Sequence, residues 1–328
     1  MVDSGDFTCY NQNVKRFTIQ KRVIFMRIFV IGSINMDLVI QSQKYPKLGE
    51  TVTGFGFMTN PGGKGANQAV ACQKSGASTV MVGAVGDAFG PELIQTLQHY
   101  GVDTTHVKSH DSVSSGIAVI TIAEQDNAIV IDAGANALVD IHAIDEALLT
   151  ASPNDYVLLQ NEIPAKAIQY ALRKAKALGL TTVMNPAPAK PLDDADFKYM
   201  DYLILNQSET EFYTHLYPIT TKEILEASSI LKRKGVKHTL FTLGALGSAY
   251  VDESVHWVDA HTVAVVDTTA AGDTYIGGFM ARRAEGQSIE ASMRYASAAA
   301  ALTITKKGAQ QSIPDQASVT LFMSQSKI

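Results

Sequence analysis

This chain predicts an α/β fold: a three-layer α/β/α sandwich around a mostly parallel central sheet, with a small β-sheet lid beside it. Three observations predict it. From residue 156 onward, short apolar runs alternate with segments of helical period, the pattern of a parallel sheet covered by helices. Polar residues recur just after those runs, where open α/β sheets bind ligands. Residues 38–57 and 115–131 break the alternation, being rich in β-forming residues at near-alternating spacing.

The elements follow in order. Residues 1–25 carry Lys15, Arg16, Lys21 and Arg22 among polar and aromatic residues, without the apolar core or cleavage site of a secretory signal. Asp3 and Asp6 count against a mitochondrial peptide. This stretch is expected to be a dispensable extension, with Met26 as an alternative initiator, and residues 26–328 to form the domain. The first core strand is expected at 27–31. Residues 38–57 and 115–131 form the lid, a small sheet standing off the core. Between them, Asn60-Pro61-Gly62-Gly63 reads as a turn into a helix that stops near Gly76. The apolar run 156–159 delivers Glu162. Pro164 opens a helix over 165–178 that Gly179 ends. Strands at 181–184 and 202–205 deliver Asn185, and Asn206 with Glu209. Thr221 is expected to cap a helix with Glu223 in its first turn, closed by Lys234-Gly235. The strand 238–241 ends at Thr242. Val263-Ala264-Val265-Val266 reads as a buried strand, followed by a helix over 274–283, and the Ala-rich run 296–301 as another helix.

Composition narrows the function. The chain has 328 residues, 46% of them hydrophobic, enough for one large domain with a small appendage. A net charge of −5 leaves no basic excess to suggest nucleic acid. Cys9 and Cys72 lie far apart, which argues against a disulfide framework and fits a reducing cytosol. No His-Glu-x-x-His or Cys-x-x-Cys spacing suggests zinc, and no apolar stretch approaches the ~20 residues that span a bilayer.

Two segments carry chemistry. In Asp267-Thr268-Thr269-Ala270-Ala271-Gly272-Asp273, small residues stand at a helix N-terminus, where unpaired N–H groups and the helix dipole attract an anion that can approach closely. Asp273 either takes a proton from a hydroxyl attacking a phosphoryl group held there, or caps the helix. The second segment, Gly62-Gly63-Lys64-Gly65-Ala66-Asn67, is not a P-loop, because its spacing is wrong and Ala66 stands where a magnesium-binding hydroxyl would be. Lys64 and Asn67, three apart, can reach toward one side of a first helical turn. With the flanking glycines they suit a polyhydroxylated ligand.

These two segments resemble the signature regions of the phosphofructokinase-B-type (PfkB) carbohydrate kinases. Gly32-Ser33-Ile34-Asn35-Met36-Asp37, Asn185-Pro186-Ala187-Pro188-Ala189, Asn206-Gln207-Ser208-Glu209, Thr242-Leu243-Gly244-Ala245-Leu246-Gly247 and Lys307-Gly308-Ala309-Gln310 match further family segments. They stand in the family's order from about residue 26 to the C-terminus. Within the family the match is closest to members that phosphorylate D-ribose at its 5-hydroxyl.

The resemblance implies ATP-dependent sugar phosphorylation in the cytoplasm, with magnesium and potassium, by a homodimer paired through its lid sheets. It implies Asp273 as general base and the N–H groups of Ala270, Ala271 and Gly272 as the anion hole. Asn35, Asp37, Gly63, Lys64, Asn67 and Glu162 would bind the sugar with Asp273. Asn206 and Glu209 would organise magnesium-bound water, with Glu209 also readable as an N-terminal helix acid. Thr242, Gly244, Gly247, Ala271, Gly272 and Ser297 would meet the nucleotide, Ser297 standing where the family often has Asn. Asp267, Thr269, Thr303, Lys306, Gly308 and Ser312 match a monovalent-cation site. Kinases for deoxyribose, fructose or nucleosides, and a non-catalytic sugar sensor, are the rival readings.

Overall fold

Ile28–Ile31 (strand β1) is apolar at every position because both faces of the strand are covered: Phe29 and Ile31 join one apolar cluster, Ile28 and Val30 another. The computed structural model describes residues 26–124 and 126–325. The residue 1–25 extension lies outside them.

Strands β2 (Asn35–Ser42), β3 (Gly54–Gly62), β4 (Thr79–Gly86), β5 (Asp103–His110), β6 (Gly116–Ala123) and β7 (Asp126–Asp132) follow β1. The later strands are β8 (Tyr156–Gln160), β9 (Thr181–Asn185), β10 (Tyr202–Asn206), β11 (His238–Thr242), β12 (Ser248–Val251) and β13 (Val255–Val258). One sheet has the order β13-β12-β11-β10-β9-β8-β1-β4-β5, parallel from β5 to β11, with the last two strands antiparallel. Helices α1 (Lys64–Lys74) and α2 (Gly90–His99) cover one face, and α3 (Ile141–Leu148) and α4 (Ala165–Ala177) the other. After the short α5 (Gln207–Thr214), α6 (Thr221–Arg233) joins α3 and α4. Helices α7 (Ala271–Ala284) and α8 (Ile289–Thr303) join α1, and α9 (Gln316–Gln325) packs on α8. The three-layer expectation holds. β1 pairs with β4 on one side and β8 on the other, so the strand order reverses there, the kind of switch point at whose C-terminal end open α/β sheets bind ligands.

The second sheet, β3-β2-β6-β7, stands apart. Phe55, Phe57, Val119, Ile129, Val130 and Ile131 on it are exposed. Its strands overlap the expected lid segments, and β3 runs further, to Gly62. The turn expected at Asn60-Pro61-Gly62-Gly63 is therefore shorter, because Asn60, Pro61 and Gly62 pair with Asp37, Met36 and Asn35 on β2. Only Gly63, at φ 88°, makes the turn into α1.

Two other expectations are corrected. Residues 263–266 form no strand, and Val265 and Val266 are exposed. The segment joins neither sheet, although β13 leaves one edge unpaired among the described residues. Its backbone instead reaches Ile304, through Val266 N–H at 2.8 Å. A short apolar run cannot by itself distinguish a strand from such a loop. The cap of α6 is Thr220 rather than Thr221: its hydroxyl accepts from Glu223 N–H at 3.3 Å while the Glu223 carboxylate accepts from Thr220 N–H at 2.9 Å, a reciprocal capping box.

Candidate active site

Helices α1 and α7 touch through small residues. A Cβ on Gly277 would lie 2.3 Å from the Cβ of Ala71, so only glycine allows this separation. One turn earlier on each helix, the close approach brings Asn67 and Gln68 to Asp273. Asn67 Nδ2 donates to Asp273 Oδ2 at 3.1 Å, and Gln68 Nε2 to Asp273 Oδ1 at 2.9 Å. Asp273 is buried, and the buried Asn67 Oδ1 has no partner among the described residues. An orphaned acceptor beside a carboxylate suits a ligand hydroxyl, since a buried polar atom without a partner is costly.

Around this pair stand the other residues expected to face a sugar. Glu162 Oε2 accepts from Lys64 N–H at 3.0 Å and from Ser33 Oγ at 2.5 Å, which locks the acid against the start of α1. Asn35 Oδ1 accepts from Asn136 Nδ2 at 2.7 Å, and Asn136 in turn holds the Ile34 backbone. Asp37 lies against Gly62, where a Cβ would fall 2.4 Å from its Oδ2. Burial, and then the charges of Glu162 and Asp273, push the Asp37 carboxyl up to about 7. Lys64 is held more firmly as a cation, chiefly by Asp273 against the effect of burial, with Glu162 and Glu209 adding to it. The structure thus brings Asn35, Asp37, Gly63, Lys64, Asn67, Glu162 and Asp273 to one place, where the second sheet meets the start of α1.

The turn expected to receive an anion lies at the start of α7. Ala270 adopts φ 59°, and Ala271 N–H donates to Thr268 O at 3.2 Å, so one of the three expected N–H groups is engaged within the turn. Gly272 follows in the first helical turn, where N–H groups have no intrahelical partner. A Cβ on Gly272 would meet nothing within 4 Å. Exposed Gly272 thus stands next to the buried Asp273 carboxylate.

Asp267 fastens this turn to the loop after α8. Its Oδ1 accepts from Thr269 N–H at 2.9 Å and Thr269 Oγ1 at 2.6 Å, and its Oδ2 from Gly308 N–H at 2.9 Å. Thr303 Oγ1 bonds to Thr274 Oγ1 of α7 at 3.1 Å. Ser312 Oγ turns into its own loop, donating to Ala309 O, and Lys306 is exposed. Asp267, Thr269 and Gly308 are brought together, while the Ser312 hydroxyl bonds within its own loop and Lys306 lies exposed.

Asn206 and Glu209 form a capping box on α5. Asn206 Oδ1 accepts from Glu209 N–H at 2.8 Å, and the Glu209 carboxylate accepts from Asn206 N–H at 2.9 Å and from Asn206 Nδ2 at 3.0 Å. Glu209 is buried, which raises its carboxyl above the usual range; Asn206 N–H and Lys64 oppose this and Asp273 reinforces it. It is a helix-terminal acid that also belongs to the charge cluster around Lys64. Among the described residues, no group of three or more His, Cys, Asp or Glu is placed to hold a metal directly. Thr242 Oγ1 donates to Leu205 O at 3.4 Å; Gly244 and Gly247 turn the chain after β11 at φ 57° and 98°. The buried Ser297 hydroxyl donates to Asp259 O at 3.2 Å.

Sequence reasoning missed Gln68, Ser33, Asn136 and Gln160, all buried and all bonded to site residues or to one another. The available signal was a polar residue inside the small apolar run of α1, where Gln68 stands between Ala66 and Ala69-Val70-Ala71.

Residues 26–316 match the family described as pfkB family carbohydrate kinase. The chain belongs to the pfkB family of carbohydrate kinases. It is 39% identical to the ribokinase of Bacillus subtilis over 299 residues, 90% of this chain and 99% of that one. It is 36% identical to the deoxyribokinase of Salmonella typhi over 296 residues, 88% of this chain and 96% of the relative. The solved structure of Arabidopsis thaliana ribokinase, complexed with ribose and ATP, superposes with a TM-score of 0.86 at 31% identity, covering 92% of this chain and all of that one. For a family member, an acid at the mouth of an anion turn is a candidate phosphotransfer base. Among the described residues no helix is long and apolar enough to cross a membrane.

Proposed function

We propose that this kinase transfers the γ-phosphoryl group of ATP to the 5-hydroxyl of D-ribose, giving D-ribose 5-phosphate and ADP. The observation that carries the reading is the buried Asp273 carboxylate, held by two amides beside the open Gly272 turn. Asp273 takes the proton of the 5-hydroxyl as its oxygen bonds to phosphorus and the bond to the ADP oxygen breaks. N–H groups of the Ala270-Ala271-Gly272 turn receive the charge developing on the phosphoryl oxygens. Asn35, Asp37, Gly63, Lys64, Asn67 and Glu162 hold the sugar; their carboxylates and amides suit adjacent hydroxyls, each of which donates and accepts.

Thr242, Gly244, Gly247 and Ser297 border the nucleotide. With its hydroxyl on Asp259 O, Ser297 presents a small surface to adenine. Magnesium, which favours oxygen ligands and keeps its waters, would neutralise phosphate charge. Glu209 suits contact through water, since its carboxylate is already engaged by Asn206. Potassium would sit between the 267–269 turn and the 308 loop, where Asp267 and backbone carbonyls supply oxygen, and would keep the anion turn in shape. The second sheet closes over the sugar and excludes water, and its exposed apolar residues pair two copies into a homodimer. The protein would work in the cytoplasm.

ADP release across D-ribose, 2-deoxyribose, fructose and adenosine, with and without potassium, tests the reading. Ribose should give the highest kcat/KM, and replacing potassium with tetramethylammonium should lower turnover. Preference for 2-deoxyribose would favour the second reading, suggested by the deoxyribokinase relative. Equal turnover in both salts would remove the cation site but leave the kinase. Absence of ADP release with every sugar would point to a sensor, a role that needs no Asp273.

A further inference from the structure

We propose that Gln68 is a positioning residue: its carboxamide fixes the Asp273 carboxylate from the buried side, so that the base presents one orientation to the acceptor hydroxyl. This rests on the reading of Asp273 as the base.

Gln68 is fully buried on α1, yet every polar atom of its side chain is used. Nε2 donates to Asp273 Oδ1 at 2.9 Å and to Asn185 Oδ1 at 3.1 Å; Oε1 accepts from Gln160 Nε2 at 2.6 Å. These partners fix which way the amide points, because a carboxylate accepts and cannot donate. Asn185 is itself oriented, donating from Nδ2 to Ile204 O at 3.0 Å. Gln160 ends β8 and Asn185 ends β9. The base on α7 is therefore tied through one side chain to two strand ends of the central sheet.

Asn67 makes a different contact with the same carboxylate. It holds Oδ2 while keeping its own Oδ1 partnerless, so it faces both the base and the ligand space. Gln68 has no such free atom. Removing it should leave sugar contacts in place and loosen only the base, and a small misplacement of a reacting group is costly in rate.

The test is steady-state kinetics on Gln68→Met, which keeps length but has no donors, alongside Gln68→Glu, Gln160→Met and Asp273→Asn, each checked by thermal melting. Gln68→Met should lower kcat by about 10- to 100-fold, the range for one hydrogen bond to a charged group. The KM for ribose should change by less than about 3-fold. Gln68→Glu keeps the acceptor for Gln160 but sets a second carboxylate against Asp273, and should lower kcat further. Gln160→Met, which does not touch Asp273, should give a smaller fall in kcat with KM again unchanged. Wild-type kcat in a folded Gln68→Met protein, or a loss confined to KM, overturns the proposal. If that variant does not melt cooperatively, Gln160→Met decides, and an unchanged kcat there overturns it too. Near-normal turnover in Asp273→Asn would instead sink the base assignment on which the inference stands. An impaired Asp273→Asn beside a fully active Gln68→Met sinks this inference alone.

Discussion

On the lid side of Asp273 the site is made of side chains already committed to partners: Glu162 to Ser33 and Lys64, Asn35 to Asn136, Asn67 to Asp273. On the other side lie the Gly272 turn, where an added Cβ would meet nothing within 4 Å, and the loop over 263–270, on which Val265 and Val266 are exposed. A sugar presents many hydroxyls of fixed geometry, and distinguishing one from another needs donors and acceptors set in advance. A phosphate presents charge, which any run of small residues at a helix N-terminus can receive. On the proposed reading the two ends do different work, specificity on one side and generic anion affinity on the other, with Asp273 at their border.

The strongest test of that border is Asp273→Asn. The new amide can donate to Asn67 once that side chain turns its partnerless Oδ1 inward, so the fold should survive. Turnover should fall by roughly 10²–10⁴, the usual range for a lost general base, while sugar affinity is largely kept. ADP release from the folded variant measures it. Next in size is Asp37→Ala. Calorimetry at pH 8 should show ribose binding weaker by about 1.5–3 kcal/mol with ATP binding unchanged, since only the sugar end loses a carboxylate acceptor. Equal losses for both ligands would mean that the two ends are not separate.

The contrast also governs what was legible in the sequence. The parallel sheet was readable because apolar runs such as 156–159 and 202–205 are covered on both faces, so every position is apolar. Helix ends marked by Gly76, Gly179 and Gly235 were readable because each requires positive φ. The loop over 263–266 reads as a strand from its apolar run, yet Val265 and Val266 are exposed, because hydrophobicity alone does not encode pairing. Glycine turns and acids announced themselves by composition, whereas Gln68, Gln160 and Asn136 did not. Their role depends on contacts 92 to 205 residues away in the chain, which no local spacing encodes.

A pair of glycines sharpens the comparison. Gly63→Ala would place a Cβ 2.8 Å from the Asn35 backbone N at a positive φ, so the free protein should lose about 1–3 kcal/mol of stability. Gly272→Ala meets open space and should leave the melting temperature unchanged, while lowering turnover and ATP affinity, because the added methyl occupies the anion's approach. Denaturant melts of the two empty variants, set beside their kinetics, read both. A destabilised Gly272→Ala protein with normal kinetics would reverse the assignment of the open side.

The smallest expected effect separates two carboxylates by the sign of their pH dependence. Asp37 is pushed up to about 7 by burial and by Glu162 and Asp273. Between its unfolded value near 4 and about 7, the folded protein keeps a proton that the unfolded chain has released, so its contribution to stability falls as pH rises. Asp267 has the opposite sign. Burial raises it, but the Thr269 hydroxyl and the N–H groups of Gly308 and Thr269 outweigh burial and hold its carboxyl below the usual range. Its contribution is present above the unfolded value and is lost as pH falls through the folded one. In ligand-free protein, Asp37→Asn should therefore melt above the parent at pH 8, with the difference shrinking toward pH 4. Asp267→Asn should melt below the parent at pH 8, and that deficit should close on acidification. Melting curves from pH 4 to 8 measure both. A pH-independent offset for Asp37→Asn would mean that burial and the neighbouring charges of Glu162 and Asp273 do not hold a proton on Asp37 in this range.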